Sequence, residues 1–215
     1  MNCKCCSGNM FPVMDNVYRC GSCMVYFRDY KVDLKEYYEK EYRDLADNDS
    51  YLSEKDMQFK RNFIDEISPY LKGTSCLDVG CGGGTILDLI DMEEKYGCDL
   101  DPRFQKENVI HCDVFDYPED RTFDNVLAID VLEHLLDVEG FVKKMHTLTN
   151  NRLILNLPVE REIHNRMPFD GHFWYFSPQS IKELFKDFFK LEEYMTKGRK
   201  QVSNGPSMIC ILGKK

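Results

Sequence analysis

The stretch Leu77-Asp78-Val79-Gly80-Cys81-Gly82-Gly83-Gly84 constrains this chain more than any other, because an apolar run stopped by an acid and a glycine cluster describes a strand ending in a tight loop. Glycines at 80, 82 and 84 allow positive φ and remove the Cβ atoms that would keep a ligand off the main chain. A helix expected from about Thr85 to Asp91 then turns its free N–H groups toward an anionic group seated there. This geometry makes a small-molecule pocket.

The spacing excludes two common ligands. A dinucleotide fingerprint needs Gly-x-Gly-x-x-Gly, whereas Gly84 arrives one position early and Thr85 stands where the third glycine belongs. No Gly-Lys-Ser/Thr follows, so nothing matches the lysine of a phosphate-gripping loop. The next strand ends Gly97-Cys98-Asp99-Leu100-Asp101-Pro102, and Asp99 stands where a carboxylate can accept two hydrogen bonds from a ribose diol.

With 215 residues and 43% hydrophobic content, the chain can bury one full core and carry a small appendage. No apolar stretch approaches the roughly 18 residues that cross a bilayer, and Met1-Asn2-Cys3-Lys4-Cys5-Cys6 lacks the hydrophobic centre of a secretory signal. The expectation is a cytoplasmic protein with no membrane contact. With 28 basic and 37 acidic residues the net charge is −9, which repels a phosphate backbone and argues against nucleic acid as a partner. The one basic cluster, Lys197-Gly198-Arg199-Lys200, reads as a solvated loop.

Of ten cysteines, five precede residue 24. Cys3-x-x-Cys6 and Cys20-x-x-Cys23 are two thiol pairs separated by a loop, the spacing of a zinc ribbon. Four thiolates fill a tetrahedral Zn²⁺ shell, so the site is structural, and a segment of about 30 residues needs such a staple to fold. A redox or disulfide role and unmetallated core cysteines are the alternatives, and Cys5 could replace Cys6 as a ligand. Cys76, Cys81, Cys98, Cys112 and Cys210 lie on or beside apolar strands and read as small buried hydrophobes.

Three parts are expected: a ribbon over 1–30, a helical linker or lid over 31–70, and an α/β domain over 71–215. The middle part holds the aromatic stretch Tyr37-Tyr38-Glu39-Lys40-Glu41-Tyr42, a break at Asp47-Asn48-Asp49-Ser50, and a helix from about Glu54 to Ile67. Strands are expected near 76–80, 95–99, 108–112, 125–129 and 152–157, an alternation with helices that implies a parallel sheet covered on both faces. A helix near Pro178 to Phe188 and strands over 190–194 and 207–212 suggest an antiparallel pair closing the sheet edge.

Several ordered segments resemble the class I S-adenosylmethionine-dependent methyltransferases. Leu77 to Gly84 looks like their cofactor loop, Gly97 to Pro102 like the ribose-binding strand end, and His111-Cys112-Asp113-Val114 like the segment at the adenine edge. Phe123 to Leu135, with Asp130-Val131-Leu132-Glu133-His134, is similar to the fourth strand and its following helix, Leu153 to Pro158 to the fifth strand, and His172-Phe173-Trp174-Tyr175-Phe176-Ser177-Pro178 to the segment before the last large helix. Cys20 to Phe27 with Tyr37, Tyr38 and Tyr42 looks like the front of a zinc-ribbon subgroup associated with sugars and other small metabolites.

The resemblance implies a Rossmann-like, seven-stranded, mostly parallel sheet with helices on both faces, and S-adenosyl-L-methionine as cofactor. Asp78, Gly80, Gly82 and Gly84 would meet its methionine portion, Asp99 the ribose, and Asp113 with the Val114 backbone the adenine, while Asp130 would lie near the transferring methyl. The expected reaction is methyl transfer to a small-molecule acceptor, a hydroxyl of a sugar or related metabolite. Deprotonating a hydroxyl calls for a base, and His134, His172 and His164 are the candidates; His111 and His146 look peripheral. Asp130, Glu133, His134 and His172 also resemble the metal-binding set of small-RNA 2′-O-methyltransferases, where they would hold Mg²⁺ or Mn²⁺. Ribosomal-RNA methylation and a catalytically silent cofactor-binding scaffold complete the alternatives.

Overall fold

The computed structural model describes residues 1–30, 54–159, 171–197 and 207–215. The described residues form two sheets. Strands β1 (Met10–Met14), β2 (Val17–Cys20) and β3 (Tyr26–Arg28) form the small one, and β9 (Trp174–Tyr175), from far along the chain, adds its fourth strand by pairing antiparallel with β3.

The large sheet is built from β4 (Ser75–Val79), β5 (Glu94–Asp99), β6 (Val109–His111), β7 (Phe123–Ile129), β8 (Thr149–Pro158), β10 (Phe189–Lys197) and β11 (Ser207–Lys214), in the order β10-β11-β8-β7-β4-β5-β6. β4 to β8 run parallel and the last pair antiparallel. The chain proceeds outward from β4 through β5 to β6, then crosses back to place β7 on the other side of β4. Ligands collect at such a reversal, beside the carboxyl ends of the strands.

Both faces are covered, so the central strands are apolar throughout: all five residues of β4 are buried. Alternate side chains serve different layers. Leu77, Val126, Ala128, Leu153 and Leu155 pack with Phe141, Met145 and Phe185 from α3 (Val138–Leu148) and α4 (Pro178–Phe185). Cys76, Leu127, Ile154, Ile209 and Ile211 pack on the opposite face with Phe63, Ile64 and Ile67 of α1 (Glu54–Ile67) and Ile86 of α2 (Thr85–Leu89).

Three helical boundaries differ from expectation. α2 stops at Leu89 because the Glu93 and Glu94 amides donate to the Thr74 carbonyl (3.0 and 3.1 Å), drawing the chain into β5. After β7 a single 3₁₀ turn, Leu132–His134, replaces the start of a helix, and α3 begins only where Asp137 Oδ1 caps the Gly140 amide at 2.9 Å. α4 ends at Phe185, and β10 starts at Phe189. The expected aromatic stretch at 37–42 and the break at 47–50 fall outside the described residues. Among the described residues no helix is long and apolar enough to cross a membrane.

Candidate active site

The loop after β4 has the conformation its glycines imply, with φ of 69°, 52° and 77° at Gly80, Gly82 and Gly84. A Cβ at Gly80 would stand 2.6 Å from Val131 Cγ2, whereas one at Gly82 would meet nothing nearer than Phe104 at 4.0 Å, so this part of the loop has open space above it. Asp99, at the end of β5, ties the loop down: the Gly82 amide donates to Oδ2 at 2.7 Å and the Asp101 amide to Oδ1 at 2.8 Å. A carboxylate has about four acceptor positions, so Asp99 keeps the capacity to take hydroxyl donors as well. Gly97 is a requirement that sequence reasoning missed. A Cβ there would lie 2.6 Å from Cys81 Sγ and 2.9 Å from Leu87 Cδ1, and its only signal in the sequence was a glycine inside a strand, which marks a close approach.

Asp78 is the electrostatic centre. It is 2% exposed, and its Oδ1 is buried with no hydrogen-bond partner. Burial first, then the charge of Asp99, pushes its carboxyl up to about 8. Such a group favours a cationic ligand, which would offset the desolvation and return the proton to solvent. Along the same edge of the sheet, Asp113 Oδ1 accepts from the Phe115 amide at 2.9 Å, next to the buried Val114. Asp130, just past β7, holds a φ of 54° while its carboxylate accepts from Asn156 Nδ2 at 2.9 Å. Burial pushes Asp130 up to about 6. A non-glycine residue in the left-handed region at a strand end stores strain of the kind found at functional sites.

The fold brings two of the three candidate histidines together. The rings of His134 and His172 lie 4.6 Å apart, edge to face, and His134 Nδ1 donates to the Gly171 carbonyl at 2.9 Å. Glu133, fully buried, places Oε1 4.0 Å from His134 Nε2. One ligand atom from each of Glu133, His134 and His172 lies within 4.8 Å of the others. Asp130 is not in that group and is turned on Asn156. Two bonds knit the segments: the Phe173 amide donates to the Glu133 carbonyl at 2.8 Å, and Trp174 Nε1 to the Leu135 carbonyl at 2.8 Å. His164 lies outside the described residues. His111 contacts the Leu100 carbonyl and His146 packs on Phe188, both away from this cluster. Burial and the neighbouring Asp78 push the Cys81 thiol up, which leaves no thiolate nucleophile in the loop.

A family model described as a methyltransferase domain matches residues 37–188. The chain belongs to this methyltransferase family. Among curated proteins, (S)-tetrahydroprotoberberine N-methyltransferase from Eschscholzia californica is 26% identical over 125 residues, 48% of this chain and 35% of that protein. The chain therefore matches about a third of the length of that relative. Among solved structures, magnesium protoporphyrin IX methyltransferase from Synechocystis PCC 6803 with bound SAH superposes with a TM-score of 0.65 at 16% identity, covering 85% of this chain and 98% of the other. Burkholderia thailandensis 1,6-didemethyltoxoflavin-N1-methyltransferase gives 0.66 at 14% identity, covering 97% and 99%. The seven-stranded sheet and its strand order are thus the fold of class I methyltransferases.

In front of the methyltransferase sheet, the Sγ atoms of Cys3, Cys6, Cys20 and Cys23 lie within 4.8 Å of one another, and no described cysteine is in a disulfide. The Cys5 amide points at Cys3 Sγ (3.4 Å), and the Ser22 and Cys23 amides at Cys20 Sγ (3.4 and 3.5 Å). Such N–H groups stabilise thiolate sulfur, and four sulfurs at this spacing suit a tetrahedral ion with bonds of about 2.3 Å. The donor set fits Zn²⁺. Cys5 is buried beside the cluster but is not one of the four.

Proposed function

We propose that this methyltransferase moves the methyl group of S-adenosyl-L-methionine to a hydroxyl of a small polar acceptor, a sugar or related metabolite. The observation that carries the cofactor assignment is the pairing of an orphaned buried carboxyl, Asp78, with a glycine loop pinned by Asp99. Asp78 suits the ammonium of the methionine portion, whose carboxylate would lie against the amides around Gly80, Gly82 and Gly84. Asp99 suits the ribose hydroxyls, Asp113 and the Val114 backbone the adenine, and Asp130 the region of the departing methyl. The cofactor supplies an electrophilic methyl on a sulfonium, so the protein's work is to align an acceptor, exclude water and remove one proton.

The His134–His172 pair supports a hydroxyl acceptor. The Gly171 carbonyl selects the tautomer of His134 with its proton on Nδ1, so Nε2 carries the lone pair that can take an acceptor proton. His172, its ring 4.6 Å from that of His134, is a second candidate base, and His164 a third. A small acceptor is also in keeping with the names of the similar proteins, which refer to a protoberberine, a porphyrin and a toxoflavin precursor. In the ribbon, Cys3, Cys6, Cys20 and Cys23 would hold a structural Zn²⁺ with no open position.

One observation favours a second reading. The convergence of Glu133, His134 and His172 could seat a divalent cation that grips vicinal hydroxyls, as on a terminal RNA ribose. The net charge of −9 weighs against it. Calorimetry with S-adenosylmethionine, followed by labelled methyl transfer to a panel of nucleotide sugars and metabolite extracts, tests the main reading. Absence of cofactor binding sinks every enzymatic version, and methylation of RNA with steep salt dependence promotes the second.

A further inference from the structure

Beyond the histidine pair the described residues line a half-open cavity of about 180 Å³ between the ribbon and the edge of the large sheet. Arg19, Met24 and Tyr26 line it from the ribbon, and Val159, Tyr175 and Phe176 from the other side. Its walls are mainly apolar and aromatic, with Ser177 and Thr196 as neutral polar members and Arg19 as the charged one. Arg19 Nη2 points at Met24 Sδ (3.1 Å), its carbon lies 5.5 Å over the Tyr26 ring, and its Nε is buried with no hydrogen-bond partner among the described residues. Among the described residues no carboxylate forms an ion pair with it. A guanidinium set among aromatic rings and a thioether, in a chain with excess acid, is complementary to an anion carried on an apolar or planar body.

The cavity adjoins the reaction site. Tyr175, in its wall, lies 5.9 Å from the His172 ring, centroid to centroid. Val159 follows Asn156, the partner of Asp130, by three residues of extended chain, about 10 Å.

We propose that this cavity receives the anionic end of the acceptor, a carboxylate or phosphate bound by Arg19, while the hydroxyl to be methylated reaches past Tyr175 to the histidine pair. The proposal rests on the methyl-transfer reading above and narrows it: the acceptor is a hydroxyl compound with a negative group at its far end. Specificity would then come from the ribbon, through a residue outside the glycine-loop domain.

The test uses the zinc-loaded full chain saturated with S-adenosylhomocysteine, titrated calorimetrically with two matched pairs. 4-Hydroxycinnamate is compared with 4-hydroxycinnamyl alcohol, and uridine 5′-monophosphate with uridine; the first pair reports on a carboxylate, the second on phosphate. At least one anion is expected to bind more tightly than its neutral counterpart. Arg19→Gln should weaken that binding by about 10- to 100-fold and Arg19→Lys recover part of it, while the affinity for S-adenosylhomocysteine, set by the glycine loop, stays unchanged in both. Anions that bind no better than the neutral compounds, or that bind Arg19→Gln as well as the parent, overturn the proposal. A parent chain that binds no S-adenosylhomocysteine overturns the methyl-transfer reading and this one with it, so the two failures are distinct.

Discussion

At Gly80 an alanine would have to keep a φ of 69° and also clear Val131 Cγ2, which stands 2.6 Å from the new methyl. Gly80→Ala is expected to cost about 2–4 kcal/mol in denaturant unfolding. Gly83→Ala is the control: its φ is not positive and the nearest atoms are on Phe104 at 3.9 Å, so stability should hardly change. Asp99→Ala removes the acceptor for two amides and the proposed ribose contact, and should weaken S-adenosylhomocysteine binding by about 10- to 100-fold. Asp78 makes a prediction about pH. Its folded value of about 8 lies above that of an unfolded aspartate, so the folded state holds the extra proton and stability of the free protein should fall as pH rises from about 4 to 8. Binding of a cation beside Asp78 should release that proton, and calorimetry in buffers of different ionisation enthalpy would detect it.

The ribbon is held to the rest of the molecule at several points: β3 pairs with β9, Ser177 Oγ at the start of α4 donates to the Cys23 carbonyl at 2.7 Å, and the Arg28 amide donates to the Phe173 carbonyl at 2.8 Å. The chain's single tryptophan, Trp174, is 2% exposed at this junction, 4.5 Å from the Phe27 ring. Removing the proposed zinc with a chelator should therefore shift Trp174 emission to the red and disturb the neighbouring His172 before the large sheet unfolds. Emission that stays constant while metal leaves would show that the cysteine cluster does not hold the ribbon in place. At this scale the sequence was legible where a pattern repeats: apolar strands, cysteine pairs and glycine spacing each have a local signature. β9 has none, being two aromatic residues whose strand character comes entirely from β3. The resemblance places a helix start at Leu132–His134, where the chain makes a 3₁₀ turn, because the cap that fixes the true start, Asp137, comes three residues later.

For the whole molecule, cofactor binding should act as a global stabiliser. S-adenosylhomocysteine at a hundred times its dissociation constant adds about 2.7 kcal/mol, which corresponds to about 5–10 °C in the unfolding midpoint of a domain this size. Thermal melts with and without the compound check this. The large sheet was legible because alternating strands and helices leave few ways to build a doubly covered sheet, and strand ends then had to converge at the β4 reversal. Which histidines meet was not legible. His134 and His172 are 38 residues apart in sequence, and only the return of the chain after β8 places them side by side.

The small sheet has a consequence for how the molecule assembles. β1, β2 and β3 leave the ribosome well before their partner, and the edge of β3 waits for Trp174 and Tyr175, the first of which follows Arg28 by 146 residues. During synthesis the thiol cluster would therefore sit beside an open backbone edge, a surface that neighbouring nascent chains can capture. Early metal loading would shorten that exposure, so yield in cells should depend on zinc supply while translation is under way.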